Sequence, residues 1–282
     1  MKLFPKMELA VKAMALCCDS DDKSPIAPSE VYNETWLLRM ALAKLHDSTK
    51  DFSSDVRNIL KDLRDAVRIG WISEGGLRPT LKKEGTTWTD AILGNVALKD
   101  SEEAENDSGN KRGVVIDYRK KDVGVIVVEA KVGSRLASQT SNYPGYNQAA
   151  RNIACLARLI MEQKCDKEGL AEEKCRFIVI CPEPRDKDKF HHYLRENWKR
   201  AKEILTADNI RKTINSQQEM KGELGSLFDK DNMDKFKKIV DTIANEDRST
   251  VVSWEDILER LRDDDIDKFY QKVLEVSCHG KR

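Results

Sequence analysis

Val123-Gly124-Val125-Ile126-Val127-Val128-Glu129-Ala130-Lys131 is an apolar run that ends in a carboxylate and an ammonium two positions apart. Its length and its β-branched content read as a buried strand. Side chains at i and i+2 of a strand project to the same face. Glu129 and Lys131 therefore stand together beside residues that cannot solvate them. Such a pair at the mouth of an apolar strand is costly unless it has a partner or a task. A divalent cation held by the carboxylate, with the lysine beside an attacked phosphate or a nucleophilic water, would supply both. The plain alternative is the wet end of an ordinary strand, and the rest of the chain decides between the two.

The surrounding pattern sets the fold class. Val114 to Arg119 and Val123 to Lys131 read as two strands joined by Lys120-Lys121-Asp122, a hairpin. Thr86 to Val96 reads as an earlier strand carrying Asp90. Residues 99–112, acidic and polar, read as a mobile loop. Upstream, two helices span roughly 29–46, opened by Ser29-Glu30, and roughly 54–68, after which Gly75-Gly76 and Pro79 mark a loop. Downstream, a helix over about 146–164 precedes the short apolar strand Arg176 to Cys181, which suits a position covered on both faces. Helices follow at about 186–203, 207–218 and 229–245. A short strand at about 250–252 then leads into a helix at Trp254 with Ser253 as N-cap. This order is a mixed α/β core of the α+β type with helical additions, not the regular alternation of a doubly wound sheet. The chain divides into an N-terminal helix and linker (1–27), a core (28–182) and a helical region packed on it (183–282).

Composition narrows the function classes. The 282 residues are 40% hydrophobic, enough to bury a core, and 35% charged, above the roughly 25% norm. Lys plus Arg and Asp plus Glu balance at 49 each, which counts against a dedicated nucleic-acid coat but leaves room for a local basic cleft. Seven cysteines without a CxxC pair argue against a disulfide framework or zinc site. They imply a reducing, cytoplasmic compartment, or the nucleus in a eukaryote. The first residues lack a signal-peptide core, and no run approaches a membrane span, so no membrane association is expected.

Four features complete the reading of the strand end. Glu34 lies on the first long helix, Asp90 on the strand Thr86 to Val96, Glu129 and Lys131 at the end of the apolar run, and Gln148 early in the next helix. Together they resemble the PD-(D/E)xK nuclease superfamily, over residues 28–182. Thr89-Asp90 stands where that family often has Pro-Asp, and Glu129-Ala130-Lys131 is a complete E-x-K. Glu34 matches a helix glutamate that many members add as a metal ligand, and Gln148 a glutamine of the RecB-like branch. The resemblance implies a restriction endonuclease-like core, with a mixed central sheet flanked by helices. It also implies a nuclease that uses Mg²⁺ (or Mn²⁺), acting on DNA rather than RNA, and it admits a homodimer that cuts both strands.

Phosphodiester hydrolysis needs a nucleophilic water and neutralised charge on the phosphorane, which Mg²⁺ on one or two carboxylates provides. Asp90, Glu129 and the Ala130 carbonyl would be ligands, with Glu34 a further one. Lys131 would orient or activate the water, its pKa lowered by the nearby cation. Ser134 and Arg135, just after the motif, are candidate phosphate contacts. Asp117 is a rival to Asp90, because the interval from Asp90 to Glu129 is long for the family. The other reading of the same fold is a non-catalytic nucleic-acid-binding or protein-interaction module.

Overall fold

A computed structural model describes residues 32–50, 59–81, 84, 86–98, 113–117, 124–139, 143, 145–162, 174–184, 190–218 and 230–278. The expected N-terminal helix and linker (1–27), the loop at 99–112 and the turn at 120–122 lie outside these residues. In chain order the elements are α1 (Glu34–Asp47), α2 (Ile59–Ile69), β1 (Trp71–Leu77), β2 (Thr87–Gly94), β3 (Val96–Leu98), β4 (Val114–Ile116), β5 (Val125–Ala130), α3 (Gln148–Glu162), β6 (Arg176–Cys181), α4 (His191–Ile204), α5 (Ala207–Gln218), α6 (Lys230–Ala244), β7 (Ser249–Ser253), α7 (Trp254–Leu261) and α8 (Asp264–Ser277).

Five strands form one sheet in the order β1-β2-β5-β6-β7. β1, β2 and β5 pair antiparallel, whereas β5, β6 and β7 pair parallel, so the sheet is mixed. β5 and β6 lie inside it, with a strand along each edge. Their two faces feed two cores. Val125 and Val127 of β5 and Phe177, Val179 and Cys181 of β6 pack with α3, α5 and α6. Ile126, Val128, Ala130, Ile178 and Ile180 pack with α1, α2, α7 and α8. A strand buried on both faces has no polar side to alternate with, which is why both strands read as unbroken apolar runs.

Two expectations change. The hairpin of 114–119 with 123–131 does not form: β4 pairs with β3 in a separate two-stranded sheet, while β2 and β6 occupy the two edges of β5. Val114 and Ile116 bury against Leu77 and Ile92 instead, so the apolar pattern was right and the partner wrong. Gly75-Gly76 is not a loop but part of β1. A Cβ on Gly75 would stand 2.7 Å from Ile92 Cδ1, so this glycine marks a close approach within a sheet rather than a turn. The short strand expected at about 250–252 forms as β7, which extends the central sheet beside β6.

Capping explains the observed helix starts. Asn33, not Ser29, caps α1, its side chain accepting from the Trp36 N–H at 3.0 Å. Ser253 caps α7 as expected, accepting from the Asp256 N–H at 2.9 Å. Cys155, Cys175, Cys181 and Cys278 are buried and form no disulfide among the described residues. Among the described residues no helix is long and apolar enough to cross a membrane.

Phe177 fills the core between β6 and the helices with no exposed surface. Phe177→Ala is expected to destabilise the chain by about 3–5 kcal/mol, checked by urea unfolding at unchanged m-value.

Candidate active site

The alternation of β5 decides where its charges point. Glu129 follows Val125 and Val127, so it faces α3, and it is 2% exposed. Its Oε1 lies 2.6 Å from Lys131 Nζ and also accepts from Gln148 Nε2. Its Oε2 accepts from Asn152 Nδ2 at 3.2 Å. Gln148 and Asn152 are one helical turn apart, so the same face of α3 presents both amides to one carboxylate.

Asp90 comes from the strand on the other side. The β2–β5 ladder ends at Ala91↔Val128. One step further, the Ala130 N–H donates not to a β2 carbonyl but to Asp90 Oδ2, at 2.7 Å. The N–H and C=O of one strand residue point to the same neighbour. The Ala130 carbonyl thus also faces β2, where the ladder has stopped. Asp117 belongs elsewhere. Its N–H donates to the Asn95 carbonyl at 2.9 Å, and Asn95 follows Gly94, which pairs with Val125 at the start of β5. That end of the strand is about 13 Å from Glu129 at the usual rise per residue.

Glu34 reaches the same place from the first turn of α1. Its Oε2 accepts from the Val132 N–H and its Oε1 from Ser134 Oγ, both at 2.9 Å, with Lys131 Nζ 3.9 Å from Oε1. The structure thus gathers Glu34, Asp90, Glu129, Lys131, Gln148 and Ser134. Arg135 is exposed, its guanidinium 5.4 Å from the centre of the Tyr193 ring.

Three residues were not foreseen. Asn152 had a legible signal, its position four residues after Gln148. Trp254 had none: its indole N–H donates to the Lys131 carbonyl at 3.2 Å across 123 residues of chain. Nor had Tyr193, whose hydroxyl donates to the Gly133 carbonyl at 2.7 Å. Gly133 also lets the end of α8 approach, since a Cβ there would stand 2.2 Å from Ser277 Cβ.

Burial, then the neighbouring Glu129 carboxylate, push the Asp90 carboxyl up to about 7. Burial likewise raises Glu129, against the opposing pull of Lys131. Burial would lower Lys131, but Glu129, Asp90 and Glu34 outweigh it and hold the ammonium above its ordinary range. That is the direction in the chain alone; the depressed lysine expected above belongs to the cation-bound site.

The donors here are carboxylate and carbonyl oxygens, a set suited to Mg²⁺ or Mn²⁺ rather than to softer metals. Among the described residues, no three His, Cys, Asp or Glu side chains are already gathered as a ready-made metal cage. Mg²⁺ does not require one, since it binds through one or two carboxylates and keeps several waters. Asp90 and Glu129, on either side of the Ala130 backbone, fit that mode. A cavity of about 460 Å³ lies away from this cluster, between β7 and α2, α4 and α7, and none of these residues lines it. No family profile, curated protein or solved structure matches the chain.

The raised Asp90 has a measurable sign. The folded chain keeps a proton on Asp90 that the unfolded chain releases near pH 3.8. Stability from this group therefore falls as pH rises toward about 7 and levels off above it. In chelator, the melting temperature is expected to fall by several degrees from pH 5 to pH 8 and to fall less in Asp90→Asn. Parallel profiles for the two proteins would contradict the assignment. Glu84, which burial also pushes up to about 7, contributes equally to both profiles and cancels.

Proposed function

We propose that this chain is a Mg²⁺- or Mn²⁺-dependent nuclease of the PD-(D/E)xK type, hydrolysing phosphodiester bonds in DNA in preference to RNA. The observation that carries the reading is the Ala130 N–H bound to Asp90, which places the aspartate beside a complete Glu129-Ala130-Lys131. The mixed sheet with helices on both faces agrees with a restriction endonuclease-like core.

Asp90, Glu129 and the Ala130 carbonyl would hold the cation, with Glu34 reaching the same region. The bound cation would lower the pKa of a water and neutralise charge on the attacked phosphate. The Lys131 ammonium, three-proton donor and positive charge, orients the attacking water and offsets negative charge on the phosphate oxygens. Gln148, released from Glu129, has an amide to offer the same water or a phosphate oxygen. The water oxygen bonds to phosphorus as the phosphorus–oxygen bond to one sugar breaks. The water's proton is lost to solvent, and the departing sugar oxygen takes a proton from solvent and leaves as a hydroxyl. Ser134 and Arg135, in the loop after Lys131, are placed to meet flanking phosphates.

Linear, circular and single-stranded DNA, and RNA, incubated with Mg²⁺ or Mn²⁺ test the activity. Wild type is expected to cleave DNA. Lys131→Ala and Asp90→Ala should each lose roughly 10²-fold or more in rate. Lys131→Ala should keep DNA affinity within a few-fold, since it removes one charge among many. Cleavage by the variants at the wild-type rate would sink the mechanism.

A second reading, a non-catalytic binding or interaction module, draws on the occupancy of Glu129, both of whose oxygens already have protein donors. Divalent cations separate the two. In a nuclease they relieve the crowding of carboxylates, so Mn²⁺ should raise the melting temperature by several degrees at pH 8 and less at pH 5.5, where Asp90 is protonated. A module with an unused site shows no rise at either pH.

A further inference from the structure

Asn152 is wholly buried within α3, and its Oδ1 has no hydrogen-bond partner. Its neighbours on that helix, Ile153, Leu156 and Leu159, are apolar. Asparagine is a poor helix former, and a buried amide satisfied at one atom is costly, so packing alone would not select it. The bond it does make runs to Glu129 Oε2.

The two oxygens of Glu129 are held differently. Oε2 faces a short side chain fixed in the middle of a helix. Oε1 faces the tips of two long side chains, both of which have other contacts: Lys131 Nζ is 3.9 Å from Glu34, and Gln148 Oε1 accepts from the Ala137 N–H at 3.3 Å. Lys131 thus has a second carboxylate in reach and Gln148 a long side chain, whereas the Asn152 amide is short and set by its helix.

We infer that Asn152 is a positioning residue that locks the Glu129 carboxylate by its Oε2 and leaves Oε1 as the oxygen presented to a divalent cation. This rests on the cation reading above. Asn152 acts through Glu129 and touches neither cation nor substrate. Losing a partner behind a ligand typically weakens metal binding 10- to 100-fold without removing the ligand.

Mn²⁺ affinity of the full chain, measured by titration calorimetry or by the loss of the free-ion paramagnetic signal, is the test. Asn152→Leu keeps the shape and removes the donor, and Asn152→Ala, run in parallel, covers the case in which leucine does not fit. Thermal melts in chelator select the variant that stays folded. That variant is expected to bind Mn²⁺ roughly tenfold or more weakly. Its DNA cleavage should recover to within a few-fold of wild type as Mn²⁺ is raised to saturation. DNA affinity without cation should not move. Wild-type Mn²⁺ affinity in the folded variant overturns the inference and leaves the nuclease reading intact, as does cleavage that saturating Mn²⁺ fails to restore. A wild-type chain that binds no Mn²⁺ overturns both.

Discussion

β5 is enclosed on every side, with β2 and β6 along its edges and helices over both faces, and it nevertheless ends on Glu129 and Lys131. A carboxylate at that depth cannot be left to water, so each oxygen must find protein donors. α3 supplies two amides, Lys131 the opposite charge, and β2 a second carboxylate that takes over a backbone N–H where the ladder stops. The first turn of α1 then closes the arrangement by holding the loop that follows. Elements from the whole length of the described chain are thereby tied to one strand end.

Three carboxylates around a single ammonium make the cluster acidic on balance. The raised Asp90 and the strengthened Lys131 are two expressions of that imbalance. In this state the charged form of Lys131 is the favoured one. A lysine so held is suited to ordering a water and countering phosphate charge, and less to taking a proton. The supply of a further positive charge would relax Asp90 and Lys131 together, which couples cation affinity to the protonation of the site.

The parts legible in the sequence were those governed by local pattern. The apolar runs of β5 and β6 and the Ser253 cap follow from periodicity and capping chemistry, whereas Gln148 was suggested by the resemblance alone. Pairing was less legible, because an apolar strand announces that it will be buried and not beside what. β4 was assigned to β5 by nearness in sequence, yet β5 had no edge left to offer. The rivalry of Asp90 and Asp117 had the same origin: spacing along the chain cannot tell which end of a sheet a residue occupies, and the register of β2 against β5 can. Trp254 and Tyr193 carried no signal at all, since their contacts with the 131–133 backbone depend on how α4 and α7 dock.

That docking has a consequence for how the protein is made. The carbonyl of Lys131 waits for an indole that lies 123 residues later in the chain, and the strand just before that indole closes the far side of β6. Chains fold from the N-terminus as they are synthesised. The segment bearing the E-x-K therefore emerges long before its brace, and these contacts can form only once synthesis has passed Trp254. Completion of the site is thereby timed to completion of the fold.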